Sequence, residues 1–294
     1  MMGEGVMPNY YANDDRMIYF VSDAPHLLKT VRNNLASSGA GRRSKFLWNN
    51  GKHLLWTHVK EVFQADQQRE LRRTRLTKEH VDLTSYSVMN VKLAAQVLSD
   101  SVGKIMQVYG SDDMTETATF ILLMDRFFDC LNVRNEKEAK RTRKPDRLPF
   151  TDVDDPRLKF LEDDFLGYLT SWKESVQNRE GFTKAEQAMM FLTPQTYQGL
   201  KLTVRSVCGI IRFLLNQGVP AVFTNRLSQD PLESHFGRHR GLARRSDNPT
   251  LLSFGYQDNK LRLQRDLTIS TNREREQCQT QAFAPLRKRS RQDT

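Results

Sequence analysis

Leu227-Ser-Gln-Asp-Pro-Leu-Glu-Ser-His-Phe-Gly-Arg-His-Arg240 places two acids, two histidines and two arginines beyond Arg226 within fourteen residues. Asp230, Pro231 and Glu233 have the spacing of an N-cap, a first helical residue and a third. A helix start by itself therefore accounts for both acids. Their neighbours Arg238, His239, Arg240, Arg244 and Arg245 give them a second use, because carboxylates inside a cationic surface suit a metal held against phosphate. Asp23 is the next candidate. It follows Met17-Ile-Tyr-Phe-Val21, a short β-forming apolar run read as a buried strand, and so stands either at the carboxyl end of that strand or as a plain cap ahead of Pro25. On a third stretch, Asp125, Asp129 and Asn132 fall on the side of a helix opposite Phe120, Met124, Phe127 and Leu131. That side is an ordinary solvated face or a carboxylate and amide set presented to a purine edge, and spacing does not choose between them.

The elements that must position these residues follow from apolar spacing. Pro25 opens a helix from His26 to about Leu35, with Lys29 and Arg32 on one face, and Ser37–Lys45 reads as a loop. Helical patterns then run through Leu55, Val59 and Val62, and through Val88, Val91, Ala95, Leu98, Val102 and Ile105. Three more run through Phe120–Leu131, through Leu158–Val176 after Asp155-Pro156, and through Leu200–Leu214. Arg134–Arg147 holds seven Lys or Arg against three acids and is expected to be a mobile loop. Pro220–Thr224 is a second strand candidate, a break is expected at Asp247-Asn-Pro249 with less regular chain after it, and Asp266–Thr294 is expected to be largely disordered. The acids thus flank a helical block, which predicts one α/β domain interrupted by a large all-helical insertion, mostly helical overall. Closure of its sheet would bring Asp23 and Glu233 together.

A chain of 294 residues with net charge +10 has ample material for a core and favours a polyanionic partner. Cys130, Cys208 and Cys278 are scattered, without zinc-ligand spacing, which fits a reducing, intracellular setting. No apolar run has membrane-span length. There is no GxxxxGK[ST] or GxGxxG loop, and Gly103-Lys104 lies inside a helical pattern. The cluster Leu286-Arg-Lys-Arg-Ser-Arg291 suits nuclear import or nucleic acid as readily as it suits a solvated tail.

Asp23-Ala-Pro-His-Leu-Leu-Lys-Thr-Val-Arg-Asn-Asn34, Asp125-Arg-Phe-Phe-Asp-Cys-Leu-Asn-Val-Arg134, Gln229-Asp-Pro-Leu-Glu-Ser-His-Phe-Gly237 and Asp247-Asn-Pro-Thr250 occur in one order. Together they resemble the P element transposases and their THAP-domain relatives, from about Ile18 to Leu263. The resemblance implies an RNase H-like catalytic domain split by a helical GTP-binding insertion domain. It also implies three carboxylates holding two divalent metals, Mg²⁺ or Mn²⁺, for attack on phosphodiesters. Asp23 would be the second acid and Glu233 the third, while Asp129, Asn132 and Asp230 would contribute to the GTP site. The family's first acid lies well upstream of the Asp-x-Pro-His motif, and neither Asp14 nor Asp15 replaces it. The zinc-binding THAP module and the adjoining dimerising segment have no counterpart here, so the chain is expected to be the carboxyl-terminal part of a transposase.

The resulting division is residues 1–45 and 219–263 as RNase H-like parts, 46–218 as the GTP-binding insertion and 264–294 as a basic tail. Expected partners are DNA, through Arg238, Arg240, Arg244 and Arg245, and GTP, with oligomers formed through the family's amino-terminal region. No membrane partner is expected, and the location is the nucleus. Three functions remain open: a cut-and-paste transposase short of one metal ligand and inactive alone, a non-catalytic GTP- and DNA-binding module, or a structural relic.

Overall fold

In the computed structural model, which describes residues 6–8, 17–39, 45–242 and 250–282, Asp23 is the N-cap of helix α1, Ala24–Ala36. Its Oδ2 accepts from the His26 amide at 3.0 Å, and Pro25 sits in the first turn, where its missing N–H costs nothing. Strands β1, Val6–Pro8, and β2, Met17–Tyr19, pair antiparallel ahead of it. The run expected as a buried strand is therefore a short edge. Met17, Ile18 and Phe20 are exposed, while Tyr19 packs on the helix that carries Gly209 and Phe213. A second pair, β3, Trp48–Asn49, and β4, Lys52–His53, turns through Asn50 and Gly51, both at positive φ, a hairpin missed by the sequence reading. Among the described residues these two pairs are the sheets, and the α/β part of the expectation has no larger sheet in them.

The chain divides into two compact units, Met1–Ser228 and Gln229–Thr294. In the first, α2, Trp56–Gln67, carries the expected Val59 and Val62 inward. The single helix expected from Val88 to Ile105 is instead α4, Ser85–Met89, α5, Val91–Val97, and α6, Asp100–Tyr109, after the one-turn α3, Lys78–Val81. Thr84 and Asn90 are the reason. Each turns to β-region backbone and accepts an amide proton from three residues on, Thr84 from Ser87 and Asn90 from Leu93, so each starts a new helix.

Helix α7, Thr115–Leu131, lies against α6, and Gly103 makes that approach possible, since a Cβ there would stand 2.6 Å from Leu122 Cγ. The basic stretch expected to be mobile forms α8, Glu136–Thr142, capped by Asn135, and a 3-10 turn at Pro145–Arg147. From Pro156 the chain stays helical through α9, Pro156–Lys159, a π segment Phe160–Phe165, and α10, Leu166–Gln177. Leu161, Phe165, Leu169 and Trp172 are buried along it as their spacing predicts. After α11, Lys184–Met189, the long α12, Pro194–Asn216, closes the unit, packing on α1 and on β2. Pro220–Thr224 is no strand: Val222 makes one antiparallel bridge to Phe150, and Thr224–Leu227 is a 3-10 turn.

Helix α1 is part of the core of this first unit. It packs on α5, α7 and α12, and Arg32, expected on one face with Lys29, is fully buried. Its guanidinium donates to the Ser87 and Val88 carbonyls at 2.9 Å, and burial pulls its pKa down to about 10.

The second unit contains α13, Asp230–Leu242, and α14, Leu251–Ala282. Helix α14 runs where irregular and then disordered chain was expected. Residues 251–282 hold no proline and are rich in Leu, Gln, Arg and Glu, whose helix propensity outweighs the single Gly255. Phe283–Leu286, the basic cluster at 286–291, Arg244 and Arg245 lie outside the described residues.

The aromatic heart of the first unit is Phe127 stacked on Phe165, centroids 4.5 Å apart and planes 12° from parallel. Both are almost fully buried. Phe127→Ala should therefore cost about 3–5 kcal/mol in denaturant unfolding.

Candidate functional site

Helix α7 ends in the acidic motif, and its surroundings differ from both sequence alternatives. Asp129 is 3 % exposed. Its Oδ1 accepts from Arg147 Nε at 2.6 Å, and its Oδ2 lies 2.7 Å from Lys144 Nζ. The same Lys144 donates to both oxygens of Asp125, at 3.0 and 2.8 Å. The face expected to be solvated, or open to a ligand, is thus covered by the basic segment that follows it. Arg126 reaches Asp146 at 3.3 Å from the same helix, and Arg147 reaches Glu138 of α8 at 3.5 Å.

That segment is itself fixed. Arg157 donates to the carbonyls of Asp146, Leu148 and Pro149 while holding Asp155 at 2.6 Å, and its guanidinium lies 3.8 Å over the Phe150 ring. At the other edge, Thr224 accepts from the Val133 amide and donates to the Cys130 carbonyl, which satisfies the end of α7. Asn132 follows the last helical residue. Its Oδ1 accepts from Arg134 Nε at 3.2 Å and from Asn225 Nδ2 at 3.3 Å. Asp129 and Asn132 are therefore brought together at one helix end.

Sequence reasoning missed Lys144, Arg147, Thr224 and Asn225. A signal for the first two was present: Asn135 with Glu138 three residues on, and Glu136 with Lys140 at i,i+4, spell a capped helix inside the basic stretch. Nothing local in the sequence marks Thr224.

Burial pushes the Asp125 carboxyl above its usual range, the neighbouring Asp129 charge adds to this, and Lys144 opposes it. For Lys144, burial works against its charge, but Asp125 and Asp129 outweigh it and its pKa is raised. The ammonium is thus held charged by two carboxylates that repel each other.

Asp23 lies half-buried between the end of β2 and α1. Thr203 of α12 fixes the residue before it, accepting from the Ser22 amide at 2.9 Å and donating to the Ser22 carbonyl at 3.2 Å. In the second unit, Asp230 and Glu233 occupy the exposed first turn of α13, where the amide ends favour negative charge. The helix begins at Asp230 itself, one residue earlier than the cap reading. Arg238 and Arg240 are exposed further along α13, whereas His239 is buried.

The ion pairs predict opposite outcomes for two similar changes. Asp129→Asn strands two partly buried cations and should cost about 3 kcal/mol. Asp125→Asn removes the carboxylate whose ionisation the fold resists. A raised folded pKa means that wild-type stability falls as pH rises through it, so in urea unfolding the variant should gain on wild type as pH rises above the usual carboxylate range.

Residues 25–145 match the family described as TNP-like, GTP-binding insertion domain, a span that includes α1 and ends inside the basic segment. The chain is 27 % identical over 254 residues to the Transposable element P transposase of Drosophila melanogaster, a match covering 83 % of this chain and 30 % of that protein. The structure resembles the Drosophila P element transposase strand transfer complex with a TM-score of 0.65 and 25 % identity, covering 86 % of this chain and 53 % of the solved one. The chain spans under a third of the length of that transposase and about half of the solved chain. On its family match, its relative and its fold, the chain is similar to the P element-type transposases, and its residues 25–145 match a GTP-binding insertion domain.

Proposed function

We propose that this chain acts in DNA cut-and-paste transposition of the P element type, as a part that binds guanine nucleotide and DNA. The observation that carries the reading is the match of residues 25–145 to a GTP-binding insertion domain, with Asp129 and Asn132 inside it. In this proposal Asp129, Asn132 and Asp230 contribute to GTP recognition, where carboxylate oxygens accept from guanine N–H groups and the amide reads the remaining edge. Because both Asp129 oxygens are engaged by Lys144 and Arg147, nucleotide has to compete with those cations or bind alongside them.

Asp23 and Glu233 are proposed as ligands of a divalent metal, Mg²⁺ or Mn²⁺. Carboxylate oxygens suit these hard cations, and such metals stabilise the attacking and leaving oxygens of a phosphodiester. Asp23 has one oxygen on the His26 amide, and Glu233 is exposed at a helix start, so both present oxygen donors of the right kind. An RNase H-like setting for the two is likewise part of the proposal, as is a nuclear location. Two-metal chemistry needs a further carboxylate beside Asp23 and Glu233. Binding without cutting is the activity proposed for this chain. Arg238, Arg240, Arg244 and Arg245 bind the phosphate backbone, which positions DNA without reading its sequence.

GTP titration followed by calorimetry should show binding that weakens about tenfold or more in Asp129→Ala and in Asp230→Asn, as expected when a hydrogen bond to a charged group is removed. A folded sample that ignores GTP would overturn the reading. DNA binding should weaken steeply with salt, and Arg238→Ala with Arg240→Ala should flatten the slope of log affinity on log salt by about one for each phosphate no longer neutralised. With Mg²⁺ added, labelled DNA should stay uncut.

A further inference from the structure

Helix α13 presents His235 and His239 one turn apart toward Asp258 of α14, within the second unit. The two Nε2 atoms are 3.0 Å apart, and Asp258 Oδ1 lies 3.7 Å from one and 3.6 Å from the other. Those last distances exceed hydrogen-bonding range, so the carboxylate aims at the histidine pair without bonding either ring. The three donor atoms lie within 4.8 Å of one another and converge on a common point. Three convergent lone pairs are what a cation requires. With Zn–N bonds of about 2.0–2.1 Å, tetrahedral geometry places neighbouring ligand atoms about 3.3 Å apart, and the three edges here bracket that length.

The surroundings are those of a supported ligand set. Arg262 Nε holds the other Asp258 oxygen at 2.8 Å, which turns Oδ1 toward the histidines. The His239 ring is 3 % exposed and stacks on Phe254 with centroids 4.5 Å apart and planes 8° from parallel. Its Nδ1 is buried without a hydrogen-bond partner, and ligation at Nε2 would place the ring proton there. Among the described residues of the unit, Leu251, Leu252, Tyr256, Leu263 and Leu267 of α14 are all exposed.

We propose that His235, His239 and Asp258 bind a borderline transition-metal ion of the Zn²⁺ class, cross-linking α13 to α14. Two imidazole nitrogens and one carboxylate oxygen favour Zn²⁺ over Mg²⁺, and three protein ligands leave a fourth position for water. The ion fixes the helix that carries Asp230 and Glu233 at its start. It is distinct from the oxygen-bound metal of the proposed transposition chemistry and does not depend on that reading.

Titrating the metal-free full chain with Co²⁺ should give one equivalent bound with the visible absorption of four-coordinate cobalt, displaced by Zn²⁺. His235→Ala and Asp258→Asn should each weaken binding about a hundredfold or more, and Arg262→Ala by about 10–100-fold. His235 is only partly buried, so circular dichroism of the metal-free His235→Ala chain should match wild type; if it does not, Arg262→Ala carries the test. Absence of stoichiometric binding, six-coordinate spectra, or affinity unchanged in both ligand variants would each overturn the site. Loss of Co²⁺ in Asp23→Asn or Glu233→Gln with retention in His235→Ala would do so too, placing the ion elsewhere.

Discussion

Burying Asp129 is the constraint on which the first unit depends. A carboxylate at 3 % exposure is tolerated only when its charge is matched, and here Lys144 and Arg147 both converge on it. That requirement orders the basic stretch after α7, which by composition alone would have stayed in solvent. It also explains why α7 can be buried on two sides at once. Phe120, Met124 and Phe127 face the aromatic core, and the acids face a compensating cationic segment.

The rest of the unit is arranged to keep that segment in place. Arg157 ties its far end through three backbone carbonyls, and the 3-10 turn at Thr224 closes the helix terminus from a point more than ninety residues further along the chain. The π segment after α9 adds a further connection: Glu162 forms a two-point pair with Arg212 of α12 at 2.7 and 2.6 Å, while Arg126 lies 3.9 Å over Phe160. A nucleotide site built at this helix end would inherit a framework in which acids, cations and backbone are already positioned. Such preorganisation reduces the ordering cost of binding.

The second unit follows a different logic. Among the described residues of its two helices few apolar side chains are buried, so a polar cluster at their junction matters more than it would in a large core. Asp258, between Arg262 and the two histidines, is the centre of that junction. The exposed face of α13 keeps its acids at the start and its arginines beyond, an order that complements the helix dipole at the amino end and leaves positive charge outward.

The sequence by itself determined the inward faces of α2, α7, α10 and α12. Leu158, Leu161, Phe165, Leu169 and Trp172 were legible because apolar spacing at the helical period is a local signal, and Asp23 with Pro25 was legible because capping spans three residues. The motifs likewise pointed to the P element family before any fold was in view. Helix breaks at Asn90 and Ser99 were less legible, since an apolar stripe continues straight across a cap. Only the tertiary structure decided that Arg32 is buried, that Met17–Tyr19 is an exposed edge and that the acids of α7 face cations instead of water. Each of those outcomes depends on what the rest of the chain lays against the residue, and composition and periodicity carry no information about a neighbour that is distant along the chain.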